Sequence, residues 1–318
     1  VKPESFLADL RRKPATLEAL AASLSADPWA ALDLVPTRVV LLGMGSSTYA
    51  AGVAAARLRA RGVVAVAELA SSDLLPSWGA GTLVVAISAG GSSVETLDAL
   101  DRLHPDATVV ALTNTPSSPL AARCSLVVPL DAGVEEGGVA CRSFQHTLVL
   151  LMALEAHLCG SPLATLSHTV RTSASASAHL LDSSASWLDP VSTLLDGPAG
   201  THVAAPARRL SSAQQSALML REGPRRAAVA CESGDWAHVD VYLTKNTDYR
   251  LLSYAGSRWD AGILEWTVPR STTVVSVGGP LDAAAYTLRY PGDTDDDVRL
   301  LTETLVAELV AAELWLAG

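Results

Sequence analysis

Beyond Pro36 the chain is punctuated by short, continuous apolar runs at 39–42, 63–67, 83–87, 108–112 and 126–130. Runs of this length, rich in β-branched residues, read as strands buried on both faces. Between them lie segments of helical composition at 49–61, 93–103 and 118–124, and an amphipathic stretch follows at 142–158. Strand and helix in alternation predict a parallel, doubly wound sheet. The same alternation restarts later, with strands expected at 203–205, 227–231, 250–254, 273–277 and 286–290, and helices at 211–221 and 298–316.

Two stretches stand outside this pattern. Before Pro36, the residues Phe6, Leu7, Leu10, Leu17, Leu20 and Leu24 recur at helical spacing, with breaks at Pro14 and Pro28, and predict two short helices. Residues 161–197 are rich in Ser and Ala, yet Leu180, Leu181, Trp187, Leu188, Val191 and Leu194 supply apolar faces, so helices are expected there. The expected division is therefore N-terminal helices at 1–35, a first α/β domain at 36–160, a helical connection at 161–197 and a second α/β domain at 198–318.

Composition narrows the function. The 318 residues are 49% hydrophobic and 18% charged, with a net charge of −10. An acidic chain lacks the cationic face that nucleic acid or an anionic membrane requires, so neither is an expected partner. No apolar run reaches the ~18 residues of a membrane span, and no leader-like segment is seen, so a cytoplasmic location is expected. Cys124, Cys141, Cys159 and Cys231 show no metal-ligand spacing, and neither a metal nor another cofactor is expected. The only lysines are Lys2, Lys13 and Lys245, which restricts any Schiff-base chemistry.

In an open α/β sheet, ligands bind beyond the carboxyl ends of the strands, so the loops there carry most weight. The first, Gly43-Met44-Gly45-Ser46-Ser47-Thr48, joins a strand to a helix and combines glycines with hydroxyls in the manner of an anion cradle. A tight turn with a Ser or Thr cap explains such a loop equally well when it stands alone. The second, Ser88-Ala89-Gly90-Gly91-Ser92-Ser93, repeats the chemistry at another strand end. Two cradles on one sheet point to one phosphate.

Together with Glu95-Thr96-Leu97 and Gly137-Gly138-Val139-Ala140-Cys141, these loops resemble the sugar isomerase (SIS) domain family, and most closely the tandem-SIS isomerase half of glucosamine-6-phosphate synthase. The resemblance spans nearly the whole chain and implies an α/β fold of two tandem SIS-type doubly wound parallel sheets flanked by helices. It implies a phosphorylated sugar or amino sugar as ligand, held by Gly45, Ser46, Ser47, Ser88, Gly91, Ser92, Ser93, Val139 and Cys141. This sequence departs from the family at Ala89, Gly90 and Ser92, at Cys141, where a hydroxyl is usual, and at Ser143, where the family motif has lysine.

The stretch Ala217-Leu218-Met219-Leu220-Arg221-Glu222 also resembles a family segment, and His238 follows Glu222 by 16 positions, the family's spacing to its ring-opening histidine. The chemistry suits these residue types. Aldose–ketose isomerisation through a cis-enediol needs one base to move a proton between C1 and C2, which a shielded Glu222 would supply. Ring opening needs a group that both gives and takes a proton, which suits His238. In the family that histidine comes from the neighbouring subunit, so a homodimer is implied.

Family synthases carry lysine at the position of Met219 and a glutaminase domain that this sequence lacks, so isomerisation is expected ahead of ammonia transfer. Two further readings remain open: a non-catalytic sugar-phosphate sensor, and a sugar-amine phosphate deglycase or lyase. A nucleotide-dependent dehydrogenase is a weaker alternative, with Glu68 as its sole ribose-binding acid. The histidines other than His238 show no sequence signature of pairing.

Overall fold

The computed structural model describes residues 2–318. In chain order the elements are α1 (Pro3–Arg11), α2 (Lys13–Ser23), β1 (Arg38–Gly43), α3 (Ser46–Ala60), β2 (Ala65–Leu69), β3 (Thr82–Ile87), α4 (Val94–Asp101), β4 (Thr108–Thr113), β5 (Leu126–Pro129), α5 (Arg142–Cys159), α6 (Leu163–Asp182), α7 (Ser184–Leu195), β6 (Thr201–Ala205), α8 (Leu210–Glu222), β7 (Ala228–Glu232), β8 (Arg250–Tyr254), α9 (Asp260–Thr267), β9 (Thr273–Val277), β10 (Tyr286–Leu288), α10 (Asp296–Thr302) and α11 (Thr304–Ala317).

Two compact units emerge. The first comprises Thr16–Val134 and Arg142–Val170; the second comprises Arg171–Gly318, the segment up to Ala15 and the loop Glu135–Cys141. Each holds a five-stranded, wholly parallel sheet, in the order β2-β1-β3-β4-β5 in the first and β7-β6-β8-β9-β10 in the second. Read along the chain, both orders are 2-1-3-4-5. The α/β class and the two doubly wound sheets follow the sequence expectation, and so do the ten strand positions to within a few residues.

The continuous apolar runs take this form because both faces of each sheet are covered. All six residues of β3 are buried, and so are five of the six in β1. In the first unit α3 packs with α5, while Ala99 of α4 joins Val40, Leu42 and Val84 in a shared core. In the second unit α8 packs against α11, which in turn meets α1 and α7. Lys13 and Glu308 of α11 form an ion pair with both side chains wholly buried.

Two helix expectations are corrected. Residues 118–124 form only a 3-10 turn at Ala121–Arg123, since the segment is too short to sustain an α-helix. The stretch 298–316 divides into α10 and α11 at Glu303, whose buried carboxylate is drawn to Arg209 at 2.7 Å.

Candidate functional site

The strand order of the first sheet places its topological switch between β1 and β3, where ligands gather beyond the strand ends. Both Gly/Ser loops lie there, because Gly43 and Ile87, the last residues of the two strands, are register partners. Gly43 permits a close approach: a Cβ on it would fall 2.7 Å from Ser47 Cβ and 3.2 Å from the Ile87 carbonyl oxygen. Gly45, at φ 52° and ψ −126°, precedes α3 and faces open space. Thr48 donates to the Gly43 carbonyl at 2.6 Å and closes the turn.

The second loop is anchored more firmly. Gly91, at φ 64°, bonds back to Ser88 and accepts from Leu120 N–H, and a Cβ there would collide with Ser118 Oγ at 2.0 Å. Thr113 and Asn114, at the end of β4, hold the Ala89 carbonyl at 3.1 and 2.9 Å. Ser93 caps α4 by accepting from Thr96 N–H at 3.3 Å, and its hydroxyl donates to Glu95 at 2.8 Å. Its own backbone amide first, and the Ser93 bond second, hold the Glu95 carboxyl below its usual range.

These contacts sort the predicted ligands. Ser47 and Ser88 have hydroxyls without a partner among the described residues, Ser92 is exposed, and Ser93 is engaged as a cap. The α3 N-terminus has no acidic residue in its first turn, whereas that of α4 has Glu95. The α3 N-terminus, with Ser47 and Ser88 beside it, is therefore the more electropositive of the two helix ends.

The switch point of the second sheet, between β6 and β8, is closed from within. The amides of Gly256 and Ser257 donate to the Asp260 carboxylate at 2.7 and 3.1 Å. Arg208 is paired with Asp296, Arg209 with Glu303, and Arg299 bonds the Gly278 carbonyl. Of the two switch points, the first sheet's carries the open loops.

The remaining predicted residues belong to the second unit. Val139 and Cys141 are buried in its core, and burial pushes the Cys141 thiol well above its ordinary value. The Cys141 amide is taken by Glu135 at 2.8 Å, so neither these two side chains nor this amide is open to a ligand. Asp9 accepts from Gly137 N–H at 2.7 Å, and Gln215 of α8 donates to the Ala140 carbonyl at 2.7 Å. The loop thus lies along the helix that ends in Glu222.

Glu222 is half-buried. Burial above all raises its carboxyl from the ordinary value; Arg225 pulls it down and Glu135 pushes it up. Glu135, which the sequence reading passed over, is the charge that faces the candidate base. Its only sequence signal is a position two residues before Gly137-Gly138.

The structure does not bring Glu222 and His238 of one chain together. Glu222 ends α8 just before β7 begins, and His238 comes after β7 ends, exposed. A five-residue strand separates the two edges by roughly 17 Å. The segment bearing His238 rests on a network also absent from the sequence reading: His202 bonds Asp240 at 3.1 Å and stacks on Tyr249, Tyr249 donates to Asp240 at 2.8 Å, and Trp236 donates to Tyr249 at 2.9 Å. His157, too, pairs with Asp27, at 2.6 Å.

The SIS domain family matches residues 35–156, the segment that carries both cradle loops. Residues 35–156 are a SIS domain. Across nearly the full chain, the fold with its SIS domain matches the C-terminal domain of glucosamine-fructose-6-phosphate aminotransferase from Francisella tularensis, with a TM-score of 0.84 at 18% identity, covering 98% of this chain and 96% of that one. A tagatose-6-phosphate ketose/aldose isomerase from Escherichia coli gives 0.79 at 16% identity, with 98% and 92% covered. A glucosamine-6-phosphate deaminase from Thermotoga maritima gives 0.76 at 18% identity, with 98% and 94% covered. At these identities the likeness is one of fold. No curated protein matches the sequence. Among the described residues no helix is long and apolar enough to cross a membrane, and no cluster of His, Cys, Asp and Glu forms a metal site.

Proposed function

We propose that this protein is a phosphosugar isomerase acting on an aldose–ketose or amino-sugar phosphate. The observation that carries this reading is the meeting of two Gly/Ser turns at the switch point of the SIS domain, with Ser47 and Ser88 unpartnered beside the α3 N-terminus. Such a cradle suits a phosphate dianion because amides and hydroxyls both donate to it. The similar folds include an isomerase and a deaminase that are named for hexose 6-phosphates.

In the proposed reaction Glu222 takes a proton from the carbon next to the carbonyl and returns it to the neighbouring carbon, passing through a cis-enediol. A base must be ionised yet still basic, and burial raises Glu222 in that direction. His238 opens the ring by moving a proton between the hemiacetal hydroxyl and the ring oxygen. Since the two groups lie at opposite edges of their own sheet, the histidine of one site comes from a second copy, in a homodimer.

A sensor reading draws support from Glu95, whose carboxylate already occupies the α4 N-terminus, and from Met219 in place of a lysine. Deuterium exchange separates the two. In D₂O, an isomerase incorporates deuterium at C1 or C2 of its hexose phosphate, and Glu222→Gln abolishes exchange while keeping affinity. A ligand that binds without any exchange in the unaltered protein overturns the isomerase reading and leaves the sensor. Release of amine from an amino-sugar phosphate in place of exchange would assign the chain as a deglycase or lyase.

A further inference from the structure

A cavity of about 420 Å³ opens in the helical layer of the second unit, among α1, α7, α11 and the end of α6. No residue of either switch-point loop lines it. Its floor is aliphatic: Leu309 is buried, Leu7, Leu181 and Leu188 are half-buried, and Leu316 is exposed. Ala178 and Ala312 share the wall, and their short side chains leave the hollow unfilled. Leucines left partly wet in a concave place favour an apolar group that covers them.

The rim of this cavity carries charges of both signs, Arg11, Asp182 and Glu313. All three side chains are exposed, and none has an ion-pair or hydrogen-bond partner among the described residues. Asp182 is the last residue of α6, and Glu313 stands near the end of α11, which has no basic residue in its last turn. A helix C-terminus is itself electronegative, so two carboxylates placed at such ends favour a cation. Arg11, in the last turn of α1, offers a guanidinium fork that matches a carboxylate. An ammonium and a carboxylate on one carbon, with an aliphatic or aromatic arm, complement all three features at once. A sugar phosphate, doubly negative and without an apolar arm, does not.

We propose that this cavity binds a free amino acid with an apolar side chain, as its zwitterion. It uses no residue of the phosphate cradle or of the proposed reaction, so it stands or falls apart from the isomerase reading.

The test is a titration of the full chain with leucine and with phenylalanine, followed at the Leu188 methyl signals in NMR, with Leu188→Val to assign them. A saturable shift is expected, retained when Ser47 and Ser88 are both replaced by alanine. Leucinamide lacks the carboxylate and N-acetylleucine the ammonium, and each should bind about fivefold more weakly than leucine, the loss expected for one exposed charge pair. Arg11→Gln should weaken leucine by a similar factor, and so should Asp182→Asn combined with Glu313→Gln; all three positions are exposed, so the melting temperature should hardly move. No saturable shift with either amino acid up to about 50 mM, where any affinity would be negligible, overturns the proposal. So does binding of leucinamide or N-acetylleucine as tight as that of leucine, or an unchanged leucine affinity in Arg11→Gln.

Discussion

Glu222 carries two opposite demands, because the burial that makes it a better base also makes its charged form costly to the fold. A carboxyl raised in the folded state contributes stability below its unfolded pKa, and that contribution is lost as pH rises through the folded pKa. Glu222→Gln should therefore raise the melting temperature at about pH 7, above the ordinary carboxyl range, and change it little at about pH 3, below that range. Thermal scans at the two pH values check this; an equal shift at both contradicts it. The charged groups felt by Glu222 are Arg225 and Glu135. Glu135→Gln removes a repelling charge while keeping an oxygen for the Cys141 amide, so the acid limb of the pH–rate profile should move to lower pH. A limb that stays in place would show that Glu135 is merely structural.

Among the elements, the two loops of the cradle are not equivalent. Ser93 serves α4 as its cap, so Ser93→Ala should cost about 1 kcal/mol of stability, measured by denaturant unfolding. Ser47→Ala or Ser88→Ala removes a hydroxyl with no internal task. Either should weaken a hexose phosphate by roughly tenfold or more, as expected for a hydrogen bond to a charged group, with little effect on unfolding. Calorimetric affinities that follow Ser93 instead would reverse this assignment. A different device holds α11: its buried Glu308 is paired with Lys13. Lys13→Met should destabilise the fold by about 3–5 kcal/mol, and adding Glu308→Leu should restore much of the loss.

These elements also show what a sequence makes legible. Each strand was visible because a parallel strand covered on both faces must be apolar throughout, as β3 is. The glycine turns were visible because residues such as Gly45 and Gly91 adopt backbone angles that other residues avoid. What escaped was pairing between distant segments. Nothing local marks Lys13 as the partner of Glu308, 295 positions away, or His202 as the partner of Asp240. Glu135 could not be matched to Glu222 for the same reason, nor Glu303, where α10 gives way to α11, to Arg209.

At the level of the whole molecule, two sheets of one topology differ at their switch points. The first keeps its switch-point loops open, and the second fills the corresponding place with Asp260. On the proposed reading one sugar phosphate binds per chain, which native mass spectrometry of the loaded protein would count; two would contradict it. Glu222 and His238 lie at opposite ends of β7, so the proposed chemistry calls for paired chains. The most direct measurement is deuterium exchange into a hexose phosphate by chains carrying Glu222→Gln coexpressed with chains carrying His238→Ala, each inactive by itself. In mixed dimers one site regains both native groups, so activity should return to about a quarter of that of the unaltered protein. Mixed dimers that form and remain inactive would contradict the account.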